Sequence, residues 1–155
     1  MWTIGIVTAL GGLGSAIAVL WLVRRWFYSM VATARAKLDA LAAGRIAKRV
    51  DDRARFFGVG SKSAAQLRGN GVLALYATEL IFVQLMIDRV IRIPIDAIVE
   101  VTTAKSFKGK TIFRDLLTIT WRLDGGTETV GLFVVDLQGW LAALKQAQPS
   151  ASAPA

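Results

Sequence analysis

From Trp2 to Val23 the chain reads WTIGIVTALGGLGSAIAVLWLV, an apolar run with no charged residue that stops at Arg24 and Arg25. A helix needs roughly 20 mainly apolar residues to cross a ~30 Å hydrocarbon core. Backbone groups cannot stay unpaired in lipid, so a lone segment of this kind must be helical. The pattern predicts a transmembrane helix over residues 2–23. At ~1.5 Å per residue, Trp2 and Trp21 stand roughly 28 Å apart along its axis, a spacing that suits the two interfacial belts. Arg24, Arg25, Trp26, Phe27 and Tyr28 extend the second belt. Arg24, Arg25, Arg35 and Lys37 all follow the run, so the positive-inside rule puts the amino terminus outside an inner cell membrane and the rest in the cytoplasm. A cleaved signal peptide would show a basic start, a shorter apolar core and small residues directly after it. RRWFY follows here instead. Gly11, Gly12 and Gly14 with Ser15, Ala16 and Ala18 make small-xxx-small spacings, which would allow a homo-oligomer or docking on the helix of another membrane protein. The plainer reading is a glycine-rich span.

Beyond the run, residues 24–52 read as a basic juxtamembrane helical stalk. Val31, Ala34, Leu38, Leu41 and Ala42 recur at threes and fours, and Gly44 is the expected break. The stripe would lie on lipid or on the following domain rather than in a coiled coil, because no heptad is sustained. From Ala54 the period changes. Short Val-, Ile-, Leu-, Phe- and Thr-rich segments at 54–59, 72–76, 79–86, 89–93, 97–103, 116–123 and 128–135 predict strands. Asp124 and Gly125 predict a tight hairpin. Leu117, Ile119 and Trp121 alternate with Thr118, Thr120 and Arg122, giving one buried and one wet face. Asp136 then predicts an N-cap for a last helix with Leu137, Trp140, Leu141 and Leu144 on one stripe. The expected fold is therefore α+β: a membrane helix and stalk, then a small antiparallel seven-stranded bent sheet or partly open barrel capped by a C-terminal helix over 53–146. A disordered tail is expected at 147–155.

Composition narrows the chemistry. The 155 residues contain no Cys and no His, which excludes disulfides and thiolate nucleophiles and removes the commonest general base and metal ligand. The net charge of +8 is carried entirely between Arg24 and Arg68, since basic and acidic residues balance from Gly69 onward. Near an anionic leaflet each such residue contributes about 1 kcal/mol. Nucleic acid is not expected as a partner, because no recognition fold accompanies the charge.

Three stretches carry a resemblance: Gly71-Val-Leu-Ala-Leu75, then Glu79-Leu-Ile-Phe82, then Ile93-Pro-Ile-Asp-Ala-Ile-Val-Glu-Val101. With the last helix carrying Trp140, they resemble bacterial pleckstrin-homology-like and GRAM-like domains over roughly Arg53 to Lys145. That resemblance implies a non-enzymatic adaptor that binds phospholipid head groups or protein segments. In its lipid-binding members the phosphates sit on the loop between the first two strands, which here offers Lys62 and Arg68.

Residues 104–111, AKSFKGKT, fit a Walker A spacing. A phosphate-binding loop of that kind must open a helix, and β-rich sequence follows, so nucleotide binding is not expected. Lys105, Lys108, Lys110 and Arg114, interleaved with Phe107, Ile112 and Phe113, instead form a basic loop able to seat on anionic lipid or a phosphate. Asp51 and Asp52 read as solvated charge balance, and Glu79 and Glu128 as turn or strand-end residues. No acid–base pair assembles, so no enzyme, metal or cofactor is expected. The function expected is that of an adaptor or accessory subunit of a membrane complex, with sensing of anionic head groups as the alternative.

Overall fold

The computed structural model describes residues 2–61 and 67–148, with side chains from Ser15 onward. Helix α1 (Trp2–Ala42) precedes seven strands, β1 (Arg49–Val59), β2 (Gly69–Leu75), β3 (Glu79–Gln84), β4 (Val90–Pro94), β5 (Ile98–Ala104), β6 (Leu116–Leu123) and β7 (Gly126–Phe133). A single 3₁₀ turn at Ile95–Ala97 joins β4 to β5, and helix α2 (Leu137–Ala147) closes the described chain. Every pairing is antiparallel, and the spatial order is β4-β3-β2-β1-β7-β6-β5.

The transmembrane expectation is overturned. Among the described residues no helix is long and apolar enough to cross a membrane. Beyond Val23 helix α1 continues through Arg24 and Arg25 into the part that packs on the sheet. Trp2, Gly11, Gly12 and Gly14 lie outside the residues whose side chains are described. The inner-membrane, amino-terminus-outside placement falls with the span, as does a fold class built on a membrane anchor. The architecture is one N-terminal helix, a seven-stranded antiparallel sheet and a C-terminal helix.

The second half of α1 does something the stripe alone left open. Val31, Ala34, Leu38 and Ala42 are buried against Val72, Ala74 and Tyr76 of β2 and its continuation, and against Ile81, Val83 and Leu85 at β3. Strands β2 and β3 are consequently buried on both faces, which explains why they read as continuous apolar runs rather than alternating ones. The helix stops where Ala43 and Gly44 adopt positive φ values of 50° and 81°, the left-handed exit common at helix C-termini. Arg45 then donates to the Ala42 carbonyl at 2.7 Å and the Leu41 carbonyl at 3.2 Å, satisfying acceptors the last turn leaves open.

Salt bridges fasten the same helix to the sheet. Arg35 makes a two-pronged contact with Asp52 at 2.7 and 2.5 Å, and Lys37 pairs with Asp88. Beyond the helix end, Arg45 reaches Glu79 at 2.6 Å, and Arg92 grips Glu79 at 2.7 and 2.8 Å. Glu79 is only 8% exposed, so the reading of it as an inexpensive turn residue is corrected. Its carboxyl is held below the usual range, first by the Arg92 hydrogen bond and then by Arg45, against a burial effect in the opposite direction.

On the inner face, Phe56, Leu73, Leu75, Leu80, Phe82, Leu117, Ile119, Trp121, Val130 and Leu132 form the main core, and Trp140 and Leu144 of α2 plug its open side. Asp136 caps α2 by accepting from the Gly139 N–H at 3.0 Å. Strand β1 starts at Arg49 rather than Ala54 because Arg49, Val50 and Asp51 already pair with Leu75, Ala74 and Leu73, before an irregularity between Asp51 and Ala54. Asp51 is buried there, accepting from the Arg53 N–H at 2.9 Å and the Val135 N–H at 2.7 Å, so it is a structural acceptor and not solvated charge balance. Asp52 pairs with Arg35.

Candidate functional site

Strand alternation sends Ala54 and Phe56 into the core and Arg53, Arg55 and Phe57 to the opposite face. Register then sets Asn70 of β2, Arg55 of β1 and Phe133 of β7 directly across from one another. This row is the floor of a surface groove. One stretch of about 570 Å³ is lined by residues that include Trp26, Phe27 and Met30 of α1, Phe57, Leu67, Arg68, Leu85, Met86 and Ile87. A second stretch of about 450 Å³ carries Arg53, Arg114, Phe133 and Val135. Phe27, Arg55, Asn70 and Ile112 line both, so the two are continuous.

The β5–β6 loop forms the far wall. Phe107 and Lys110 exchange backbone hydrogen bonds at 2.9 and 3.0 Å, with Lys108 and Gly109 between them at φ 51° and 72°. That is a tight two-residue hairpin of the primed type, which is why the Walker A spacing opens no helix. Phe107 packs on Gly131, where an added Cβ would lie 2.5 Å from the ring. The loop is thereby folded back over β7, and Ile112 and Arg114 arrive beside Phe27 and Arg55. Thr111 holds the turn, donating to the Lys105 carbonyl at 2.8 Å and accepting from the Phe113 N–H at 3.1 Å. Phe113 itself is 97% exposed.

Electrostatically the groove is one-signed. No aspartate or glutamate lines either stretch among the described residues. Arg35, Arg45, Arg49 and Arg92 are all tied to carboxylates, whereas Arg53, Arg55, Arg68 and Arg114 take part in none of the salt bridges among the described residues. Arg68 lies over the Phe57 ring at 4.9 Å, a cation–π contact that leaves its outer edge open. Gln84, only 4% exposed, lines the first stretch; its Oε1 accepts from Arg89 at 3.1 Å, while its Nε2 has no hydrogen-bond partner among the described residues.

Of the basic residues picked from sequence, the groove collects Arg68 and Arg114. Lys105 is exposed on the loop and lines neither stretch, nor do Lys108 and Lys110. Lys108 acts electrostatically on Glu128, a buried carboxylate that accepts from the Ser61 N–H at 2.9 Å, the Thr129 N–H at 3.0 Å and the Ser61 hydroxyl. Burial pushes the Glu128 carboxyl up, yet these hydrogen bonds outweigh it and leave it below the usual range. Glu128 is thus a buried anchor for the start of the β1–β2 loop, another correction to its reading as a strand-end residue. Lys62 lies outside the described residues.

Of the residues expected at a membrane interface, Trp21, Arg24, Arg25 and Tyr28 occupy the exposed part of α1, where Arg24 stacks over Tyr28 at 5.5 Å and Arg25 over Trp21 at 5.6 Å. Trp26 instead forms part of the groove wall. Arg53, Arg55, Phe57 and Phe133 were not singled out by sequence reasoning. The alternation Arg53-x-Arg55-x-Phe57, two cations and an aromatic on one face of a strand, was the available signal.

No family model matches the chain, and no curated protein matches it. Among solved structures it is similar to the C-terminal domain of an unknown protein from Leishmania infantum, at 16% identity and a TM-score of 0.54, covering 76% of this chain and 96% of that one. It is also similar to a chain of the 8S snRNP assembly intermediate, at 10% identity and a TM-score of 0.48, covering 70% of this chain and 89% of that one. At such identities the first likeness is one of fold alone, and the second carries no argument about this chain.

Proposed function

We propose that this chain is a non-enzymatic binding module of pleckstrin-homology-like type, an adaptor that receives an anionic partner in the arginine groove. The observation that carries the reading is the contrast between paired and unpaired arginines. Four guanidinium groups, with no carboxylate partner among the described residues, gather in a groove that also carries Phe27, Phe57 and Phe133, whereas Arg35, Arg45, Arg49 and Arg92 elsewhere on the molecule are tied to carboxylates. Arginine suits this use because its planar fork binds carboxylate or phosphate through two hydrogen bonds and still stacks on aromatics. The strand order, the 3₁₀ step at Ile95–Ala97 and the terminal helix carrying Trp140 support the pleckstrin-homology-like reading.

The test is titration of the full chain with fluorescent poly-glutamate at low and high salt. Binding should weaken with salt, disappear in Arg55→Glu plus Arg114→Glu, and persist in Lys145→Glu on the far helix. Unchanged binding in the double variant would remove the groove from consideration.

A second reading, recognition of anionic phospholipid head groups, is favoured by one feature. Phe113, almost fully exposed, sits beside Arg114 on the loop that carries Lys105 and Lys108. Flotation with phosphatidylserine vesicles that is lost in Lys105→Glu plus Lys108→Glu would support it.

A further inference from the structure

We infer that the occupant of this groove is an acidic linear segment of a partner protein carrying one large apolar side chain. The inference rests on the reading of the groove as the binding face and adds the partner's chemistry. Three features distinguish such a segment from a compact anion.

The cations are strung out rather than convergent. Arg53 and Arg55 are alternate residues of β1, ~6.6 Å apart, which is the repeat of alternate side chains in an extended chain. Arg55 is also shared by both stretches, with Arg53 and Arg114 in one and Arg68 in the other. A phosphate or a single carboxylate would use one or two of these, whereas a chain with acidic residues at intervals would use the row.

The two stretches differ in size and in their cations. Arg53, Arg55 and Arg114 stand among Phe27, Ile112, Phe133 and Val135 in the smaller one. The larger is walled by Phe27, Met30, Phe57, Leu67, Leu85 and Ile87. Leu67 is 68% exposed and Ile87 37%, so this apolar end is open to an incoming side chain, and its ~570 Å³ is within the range of built ligand sites. A lipid head group lying on the arginines would leave that end unfilled, and a purely acidic chain would as well.

The Gln84 Nε2, without a partner among the described residues, supplies the third feature. A buried donor without an acceptor costs about 1–3 kcal/mol, and this one sits against Gly69 in the wall of the apolar stretch. A main-chain carbonyl of an entering segment, met by a small turn of the amide, would satisfy it. Apolar side chain, carbonyl and spaced carboxylates belong together in a peptide and in neither inorganic phosphate nor a lipid surface.

The experiment uses the full chain and three labelled synthetic peptides: one of Glu and Ser with a central Phe, its Phe→Ala twin, and a version with Lys for Glu. Binding is read by fluorescence anisotropy, with phosphatidylserine vesicles as a separate arm. The Phe peptide should bind about tenfold more tightly than the Ala twin, the increment of one largely buried aromatic side chain, and the Lys version should not bind. In Leu67→Ser plus Ile87→Asp, both at exposed positions, the two acidic peptides should bind alike. Gln84→Met should weaken both acidic peptides without lowering the melting temperature.

If the acidic peptides bind equally to the native chain yet still need Arg55 and Arg114, the apolar anchor is refuted and the anionic groove stands. If neither acidic peptide binds, or the arginine reversals leave binding unchanged, both fall. Vesicle binding through Arg55 and Arg114 without peptide binding would assign the groove to lipid and overturn the inference.

Discussion

Replacing Glu79 with Gln removes the charge shared by Arg45 and Arg92 while keeping the side chain's size. Breaking a fully buried ion pair costs about 3–5 kcal/mol, and an exposed one contributes about 0–1. Here the carboxylate side chain is 10% exposed while Arg45 and Arg92 are 36% and 51% exposed. Solvent therefore screens the cations and not the anion, and the expected loss lies between those limits, about 1–3 kcal/mol. Urea unfolding of the full chain at neutral pH would measure it.

The pH dependence adds a second reading of the same carboxylate. The folded-state pKa of Glu79 lies below its ordinary value of 4.5, chiefly through Arg92. The contribution is therefore complete above that ordinary value and is lost as pH falls through the folded value. The stability gap between native and Glu79→Gln chains should be widest at neutral pH and should close in acid below that value. A gap under about 0.5 kcal/mol at neutral pH, the scatter of ordinary surface substitutions, would refute the clamp, as would a gap that does not change in acid.

Leu38→Ala should cost about 3 kcal/mol in thermal or urea unfolding, because Leu38 is 2% exposed between α1 and the outer face of β2 and β3; a negligible effect would mean the helix does not rest there. Gly71→Ala should cost about 1–3 kcal/mol, since the new Cβ would lie 2.2 Å from the Phe82 ring and 2.6 Å from the Val83 carbonyl. Phe113→Ser should change stability by no more than about 0.5 kcal/mol, its ring being 97% exposed, and a larger loss would show that the loop packs differently.

The inner half of this molecule was legible from its residues. Leu117, Ile119 and Trp121 enter the core as their alternation implies, although Thr118 on the expected wet face is buried as well; Asp124 and Gly125 make their hairpin, and Asp136 with Trp140 announces the closing helix, each a local pattern with a local cause. The first apolar run suggested a span that no helix among the described residues is long and apolar enough to make. What covers the stripe from Val31 to Ala42 could not be read locally, because it is buried on β2 and β3, which come later in the chain. Buried acids escaped for the same reason. Glu79 and Glu128 look like ordinary polar residues until Arg92 and Ser61 are brought to them from other elements.

The groove is a tertiary object in a stronger sense. Arg55, Asn70 and Phe133 come from three strands, Phe27 from a helix and Ile112 and Arg114 from a loop folded back over β7. A charge count placed the basic excess upstream of Gly69, but only the folded arrangement shows which arginines have no carboxylate partner among the described residues.

The central claim is that the unpaired arginines around Phe27 and Phe133 form the binding face. It is tested most directly by mapping backbone amide shifts of the full chain as poly-glutamate is added. Shifts concentrated at Arg53–Phe57, Arg68–Asn70 and Ile112–Arg114 are the expected result. Shifts centred on α2 and β5, with the groove silent, would contradict it.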